Sequence, residues 1–390
     1  MSSEMSFVIA FSFVLPVIGC QADSPQSDIK PEKVHFIRQV EPQTREWYEQ
    51  QAGLWQAIAQ QHPQDAEAWR NYYMATEYSY WQRSDAATEK RERLEQILSQ
   101  MKSHVPDSYE YYLLAYRFNQ DDLSVIEKAH ALQPDNPEPY YDLIVAHKLR
   151  GNEAKATEFL RRLYASQDIA PALVDYDYNM LVSTDTNAVL FTNGDNDTYP
   201  AWMLQQAKSV RPDVLVLNVS LARTTDYLTN LLHANRIKFD AKELPVNTDR
   251  QFVARLCREI ALKNPERPVY LALTIDSFHL QPLLDSLFII GLAYRYSPER
   301  FDNLAVLRGN WERNFRLDNL RHDWYSENHI STPAIVHGLN RNYVTLIGML
   351  MDHYLERGER RKFDESRALG RTIVGQAGNP PELIEFIEQR

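Results

Sequence analysis

Twelve glycines in 390 residues are few for an enzyme that cradles phosphates in glycine-rich loops, and no P-loop occurs. A GxSxG nucleophile elbow, an HExxH helix and a CxxC pair are missing as well. Cysteine is nearly absent: Cys20 and Cys257 exclude a scaffold of bridges and are expected to have unrelated roles. The 11 histidines are scattered, and His329 and His337, eight positions apart across Pro333, do not form a helical ligand pair. The net charge of −11 comes without a basic block, which argues against nucleic acid as a partner. The apolar run at residues 5–19 is too short to span a bilayer as a stable helix.

That run fits the core of a signal peptide instead. It ends in Leu15-Pro16-Val17-Ile18-Gly19-Cys20, and the last four residues resemble the bacterial lipoprotein cleavage box, with Cys20 as the lipidated residue. The misfit is the start, where residues 1–6 hold Glu4 and no Lys or Arg. A cytosolic protein with an apolar tail is the competing reading. The expectation is a lipid-anchored cell-envelope protein, attached to the membrane by the lipid alone. Gln21 after the cysteine favours the outer membrane, facing the periplasm.

The rest of the chain is organised around residues 187–220, NAVLFTNGDNDTYPAWMLQQAKSVRPDVLVLNVS. A short apolar run ends in Asn193-Gly194-Asp195-Asn196-Asp197-Thr198, where Gly194 permits positive φ and Asn and Asp tolerate turns. Tyr199, Met203, Ala207 and Val210 then follow helical spacing, with Pro200 in the first turn and Thr198 as the N-cap. Arg211-Pro212-Asp213 stops the helix, and Val214-Leu215-Val216-Leu217 is the run of a strand buried on both faces. Strand, helix and strand make a parallel βαβ unit. Its acidic loop therefore belongs at the carboxyl end of the first strand, where open α/β sheets place ligands.

Elsewhere helical periodicity dominates. Residues 21–43 are polar and read as a flexible tether. Residues 44–170 carry apolar stripes at helical spacing, punctuated at Pro63, Pro106 and Pro134. The last pair there, NPEPYYDLIVAHKLRGNEAKATEFLRRLY, resembles a tetratricopeptide repeat, with Gly151 at the turn and small Ala154 and Ala156 at the helix contact. The Trp and Tyr residues of this region read as core in preference to a peptide groove. Residues 171–298 alternate helix and strand, with 268–273 a third strand and 286–296 a fourth strand or a buried helix. Residues 299–390 return to helix pairs. The expected fold is α/β plus all-α: a small parallel α/β sandwich flanked by tetratricopeptide-like helix pairs.

The strings FTNGDNDTYPAWMLQ and RPDVLVLNVSL together resemble the soluble C-terminal region of bacterial envelope proteins of the protein O-mannosyltransferase-like family. The likeness runs from YNML at residue 178 to GLAYR at 291–295, under half of the chain. Family members carry a multi-spanning glycosyltransferase-type domain in front of this region, which this sequence lacks. The resemblance therefore implies a glycosyltransferase-related module and an envelope glycan context, without an activity.

Two readings of the loop stay open. Asp195 and Asp197 can chelate Mg²⁺, Mn²⁺ or Ca²⁺ with help from Asn193 or Asn196, as the Asp-x-Asp of metal-dependent glycosyltransferases does. Alternatively, the loop is an Asx-rich turn. Asn218, Ser220 and Arg223 follow the second strand, and Thr274, Asp276, Ser277 and His279 the third, so three strand ends offer polar groups to one edge. Arg223 or Arg295 can pair with a phosphate or with the acidic loop. The candidate ligand residues are Asn193, Gly194, Asp195, Asn196, Asp197, Thr198, Asn218 and Arg223, for a glycan or sugar-phosphate ligand. The first expectation is a binding or scaffolding protein that meets envelope proteins through its helical repeats. The second is a metal-dependent transferase or hydrolase acting on sugars or phosphates.

Overall fold

The computed structural model describes residues 30–37, 40–81, 83–245, 248–322, 324–325, 329 and 332–390. The expected signal peptide, Cys20 and the tether up to residue 29 lie outside the described residues.

Helices α1 (Arg45–Gln61), α2 (Ala66–Ser79), α3 (Ala87–His104), α4 (Tyr109–Phe118), α5 (Leu123–Leu132), α6 (Glu138–Leu149), α7 (Glu153–Ser166) and α8 (Pro171–Val182) come first. The mixed stretch follows as β1 (Val189–Thr192), α9 (Tyr199–Lys208), β2 (Leu215–Asn218), α10 (Thr225–Ala234), α11 (Phe252–Lys263), β3 (Val269–Ala272), α12 (Ser277–Leu280), β4 (Leu287–Ile289) and β5 (Ala293–Tyr296). The chain closes with α13 (Asn303–Arg313), α14 (Thr332–Asn340), α15 (Asn342–Glu356), α16 (Arg360–Gln376) and α17 (Pro381–Glu388). Contacts divide it into two units. One holds Asn179–Thr198 and Asp213–Phe315; the other holds Ile29–Tyr178, Tyr199–Pro212 and Arg316–Arg390.

In the helical unit the starts are set by caps. The side chains of Thr44, Asp65, Ser108 and Asn152 accept from the backbone N–H three residues on, at 3.2, 3.0, 3.1 and 3.2 Å. Gly151 takes φ +70° to close the α6–α7 turn. The pairs α1–α2, α4–α5, α6–α7 and α15–α16 pack together, a repeat-like arrangement. Of the aromatic residues, Tyr48, Trp69, Tyr72 and Tyr73 are core, as expected, while Trp47 and Trp55 of α1 are half-buried. Burying each core side chain contributes roughly 1.5–3 kcal/mol. The helix α9, expected inside an α/β stretch of 171–298, groups with the helices. Its Gln206 meets Thr157 and Arg161 of α7, and the Lys148 ammonium lies 4.4 Å from the Trp202 ring centroid.

Two histidines, His147 buried and His130 half-buried, give this unit an acid-sensitive spot. His130 and His147 lie against Phe159, with ring centroids 5.3 and 5.9 Å away. Burial holds both imidazoles below the ordinary histidine pKa. The unfolded chain therefore takes up protons first as pH falls below about 6.5, and stability present above that pH is lost under it. We expect the urea midpoint to fall between pH 7.5 and 5, and the fall to be shallower in His130→Gln/His147→Gln.

The other unit is built on a five-stranded sheet of order β2-β1-β3-β5-β4. β1 runs parallel to β2 and to β3, and every residue of these three strands is buried, as their continuous apolar runs require. The sheet is mixed, not a purely parallel one. Residues 286–296, read as a strand or a buried helix, supply a hairpin whose β5 runs antiparallel to β3 and to β4. Its turn holds Gly291 at φ +157°, where an added Cβ would overlap the Ser183 hydroxyl and lie 3.0 Å from the Phe315 ring. Ser183 Oγ in turn accepts from Leu292 N–H at 3.2 Å. Gly291→Ala should cost about 1–3 kcal/mol as an overpacked site, read as a lower urea midpoint at unchanged slope. The helix α11 buries Phe252, Leu256, Ile260 and Cys257, and burial pushes the thiol pKa up, so Cys257 is an inert apolar residue as expected.

Candidate functional site

The site is the carboxyl edge of β1, β2 and β3. Parallel strands end together there, so the residues just after Thr192, Asn218 and Ala272 become neighbours whatever their distance along the chain.

Asp197 sits at the centre with 2% of its surface exposed. Its carboxylate folds back onto the loop that carries it. Oδ2 accepts from Asn193 N–H at 2.7 Å and Oδ1 from Gly194 N–H at 2.8 Å. The Thr274 hydroxyl, arriving from the end of β3, also donates to Oδ2, and the Thr198 hydroxyl lies 3.4 Å from Oδ1. Burial nevertheless pushes this carboxyl above the usual carboxylate range, against the pull of those donors toward the ionised form.

A second layer of hydrogen bonds ties in the other strands. Thr198 Oγ1 is 2.7 Å from Thr192 Oγ1, and Asn218 Nδ2 donates to it at 3.0 Å. Asn218 Oδ1 then accepts from Ser220 and Leu221 N–H, both at 3.0 Å, and so shapes the turn after β2. Thr198, expected as a helix cap, spends its hydroxyl on this lattice. Gly194, expected to supply a positive φ, is absent from the residues that have one, and a Cβ there would meet nothing within 4 Å.

The two loop carboxylates part company. Asp197 is buried, while Asp195 is exposed and Asn196 half-buried. A cation on Asp197 would have to displace the amide and hydroxyl donors from both oxygens. Among the described residues, no three His, Cys, Asp or Glu side chains group as metal ligands. Arg223, whose guanidinium stacks 4.8 Å over the Phe252 ring, and His279 also stand at this edge. His279 is buried with Nδ1 unpartnered, and burial, then Arg223, holds its pKa below the ordinary value. Asp276 follows the same strand, and its carbonyl accepts from His279 N–H at 2.9 Å.

Arg295 is not part of this edge. It pairs with Asp185 at 3.1 Å and stacks 4.9 Å over Phe301. Because β5 runs antiparallel to β3, Arg295 lies opposite Tyr270, toward the amino ends of the parallel strands. Residues 30–37 also depart from expectation. The free tether does not extend to them: Val34 is fully buried, and its N–H reaches Asn71 Oδ1 at 2.8 Å. The alternation of Val34 and Phe36 with polar neighbours was the available signal.

No helix among the described residues is long and apolar enough to cross a membrane. No curated protein matches the chain. The family model for TMEM260-associated domain 2 matches residues 173–260, from α8 through α11 and across the loop.

Proposed function

We propose that the chain is a lipid-anchored cell-envelope scaffold. Its helical unit meets other envelope proteins, and the carboxyl edge of its sheet holds a small polar or glycan-like ligand. The observation that carries this reading is the inward turn of Asp197. Its carboxylate braces the ends of β1 and β3 and is taken up by amide and hydroxyl donors rather than offered to a cation, which favours binding over metal-dependent transfer. Asp195, Asn196, Arg223 and His279 belong to the same edge, and their side chains are of the kinds that hydrogen-bond sugar hydroxyls or a phosphate. A rigid edge of that kind holds its ligand without reorganising. The resemblance to the protein O-mannosyltransferase-like family, together with the match of residues 173–260 to TMEM260-associated domain 2, supports the glycan context.

The same resemblance favours one second reading: a metal-dependent transferase or hydrolase acting on sugars or phosphates through Asp195 and Asp197. Thermal unfolding of the full chain with and without Mg²⁺, Mn²⁺ or Ca²⁺ separates the two, because a ligand of the native state must raise the midpoint. The scaffold reading expects no shift with any cation, and a rise with sugar phosphates that Arg223→Ala abolishes. A cation-dependent rise that Asp195→Ala removes would overturn it and install the enzyme.

A further inference from the structure

Residues 30–37 run as an extended segment over α1 and α2 with no strand beside them. Their backbone is held by side chains. Gln51 Oε1 accepts from Glu32 N–H at 2.7 Å, Trp55 Nε1 donates to the Glu32 carbonyl at 2.8 Å, and Asn71 Oδ1 accepts from Val34 N–H at 2.8 Å. Gln51 and Asn71 are both fully buried, and Asn71 Nδ2 donates to the Glu67 carbonyl at 2.8 Å, which fixes its Oδ1 toward the segment. Val34 joins the apolar cluster of Tyr48, Tyr72 and Tyr73, while Lys33 and His35 on either side are exposed. Phe36 lies under the Arg117 guanidinium, 4.6 Å from its ring centroid.

Recognition of this kind reads an extended backbone through carboxamides and an indole, and reads sequence at every second side chain. Two features mark the groove as wider than its occupant. Gln51 Nε2 is buried with no acceptor, a donor the segment leaves unused. Open clefts of about 370 and 620 Å³ border the segment, the first walled by Glu67, Arg70 and Tyr109, the second by Trp47 and Tyr48.

We propose that the α1–α2 groove is a peptide-binding site, occupied in cis by residues 30–37. Its ligand in trans is an extended polypeptide segment carrying a β-branched residue and, two positions on, an aromatic one. A partner segment that also offers a carbonyl to Gln51 Nε2 displaces the resident one. The inference rests on the scaffolding reading and names its partner class.

The test uses the full chain with a protease site in place of residues 41–43, cut after folding so that the segment is held only by these contacts. The probe is a fluorescein-labelled peptide of residues 30–37, followed by anisotropy. The cut chain binds the probe saturably and unlabelled peptide competes it off. The uncut chain binds at least ten-fold more weakly, because the tethered segment competes at high effective concentration. A probe carrying Val34→Glu, which leaves the protein untouched, binds at least ten-fold more weakly to the cut chain, and Asn71→Ala in the chain has the same effect. Failure of the probe to enter the cut chain, or equal binding of the Val34→Glu probe, overturns the proposal. If the probe enters only as an exchange between two copies, gel filtration shows a dimer, and the trans partner is overturned in favour of self-association. Cross-linking from the helical unit in intact cells addresses the scaffolding reading separately: an absence of cross-linked envelope proteins sinks that reading and leaves peptide binding standing.

Discussion

Asp197→Ala lowers the stability of the sheet unit by about 3–5 kcal/mol, while Asp195→Ala, two positions away, stays within about 0.5 kcal/mol. The asymmetry follows from burial. Removing the Asp197 carboxylate orphans the N–H groups of Asn193 and Gly194 and the hydroxyl of Thr274, half-buried donors gathered around a buried acceptor. Hydrogen bonds to a charged acceptor are each worth about 1.5–3 kcal/mol, and buried donors left unmade cost their desolvation besides. Asp197→Asn falls between the two, since one side of its amide still accepts while the other sets an N–H₂ group against a donor. Hydrogen exchange reads the effect locally, as lost amide protection through β1 and the following loop, with the thermal midpoint as the global measure. Equal effects at Asp195 and Asp197 would show that the loop is not braced in this way.

How much of this was legible in the sequence depends on how far apart the cooperating residues lie. The strands β1, β2 and β3 were readable because their apolar runs announce burial on both faces, and the apolar stripes at helical spacing announced α1 and α2. The three strand ends converge as the βαβ pattern implies. The fates of Asp195 and Asp197 were not readable. Both are Asp in one turn, and what separates them is Thr274, 77 positions downstream. The hairpin of β4 and β5 was ambiguous because two short apolar runs around Gly291 fit a buried helix equally well, and only pairing with β3 selects the strand. That pairing also carries Arg295 to the opposite edge, which spacing in the sequence cannot reveal. The segment at residues 30–37 is the extreme case. Its composition is that of a linker apart from the alternation of Val34 and Phe36, and Asn71, 37 positions away, gives Val34 its address.

The largest single loss in the helical unit is expected at Arg117. Its guanidinium reaches Glu138 Oε1 at 3.0 Å and Asp142 Oδ2 at 3.0 and 3.2 Å, and Arg70 also pairs with Glu138 at 3.0 Å. The three groups of the Arg117 cluster are between 12% and 18% exposed, so solvent screens them little. The two carboxylates raise the already high pKa of Arg117 further, and it stays charged at any pH the fold survives. Arg117→Leu then leaves two carboxylates close together with one counter-charge, Arg70. Breaking a buried pair from one side costs about 3–5 kcal/mol, far more than the pair contributes relative to apolar replacements. Arg117→Leu/Glu138→Gln/Asp142→Asn, which removes both stranded charges, should therefore recover more than half of the loss. Urea unfolding of the full chain followed by tryptophan fluorescence distinguishes the cases. A triple variant no better than the single one would mean that Arg117 acts by packing over Phe36, and the resident segment would then loosen in both variants alike.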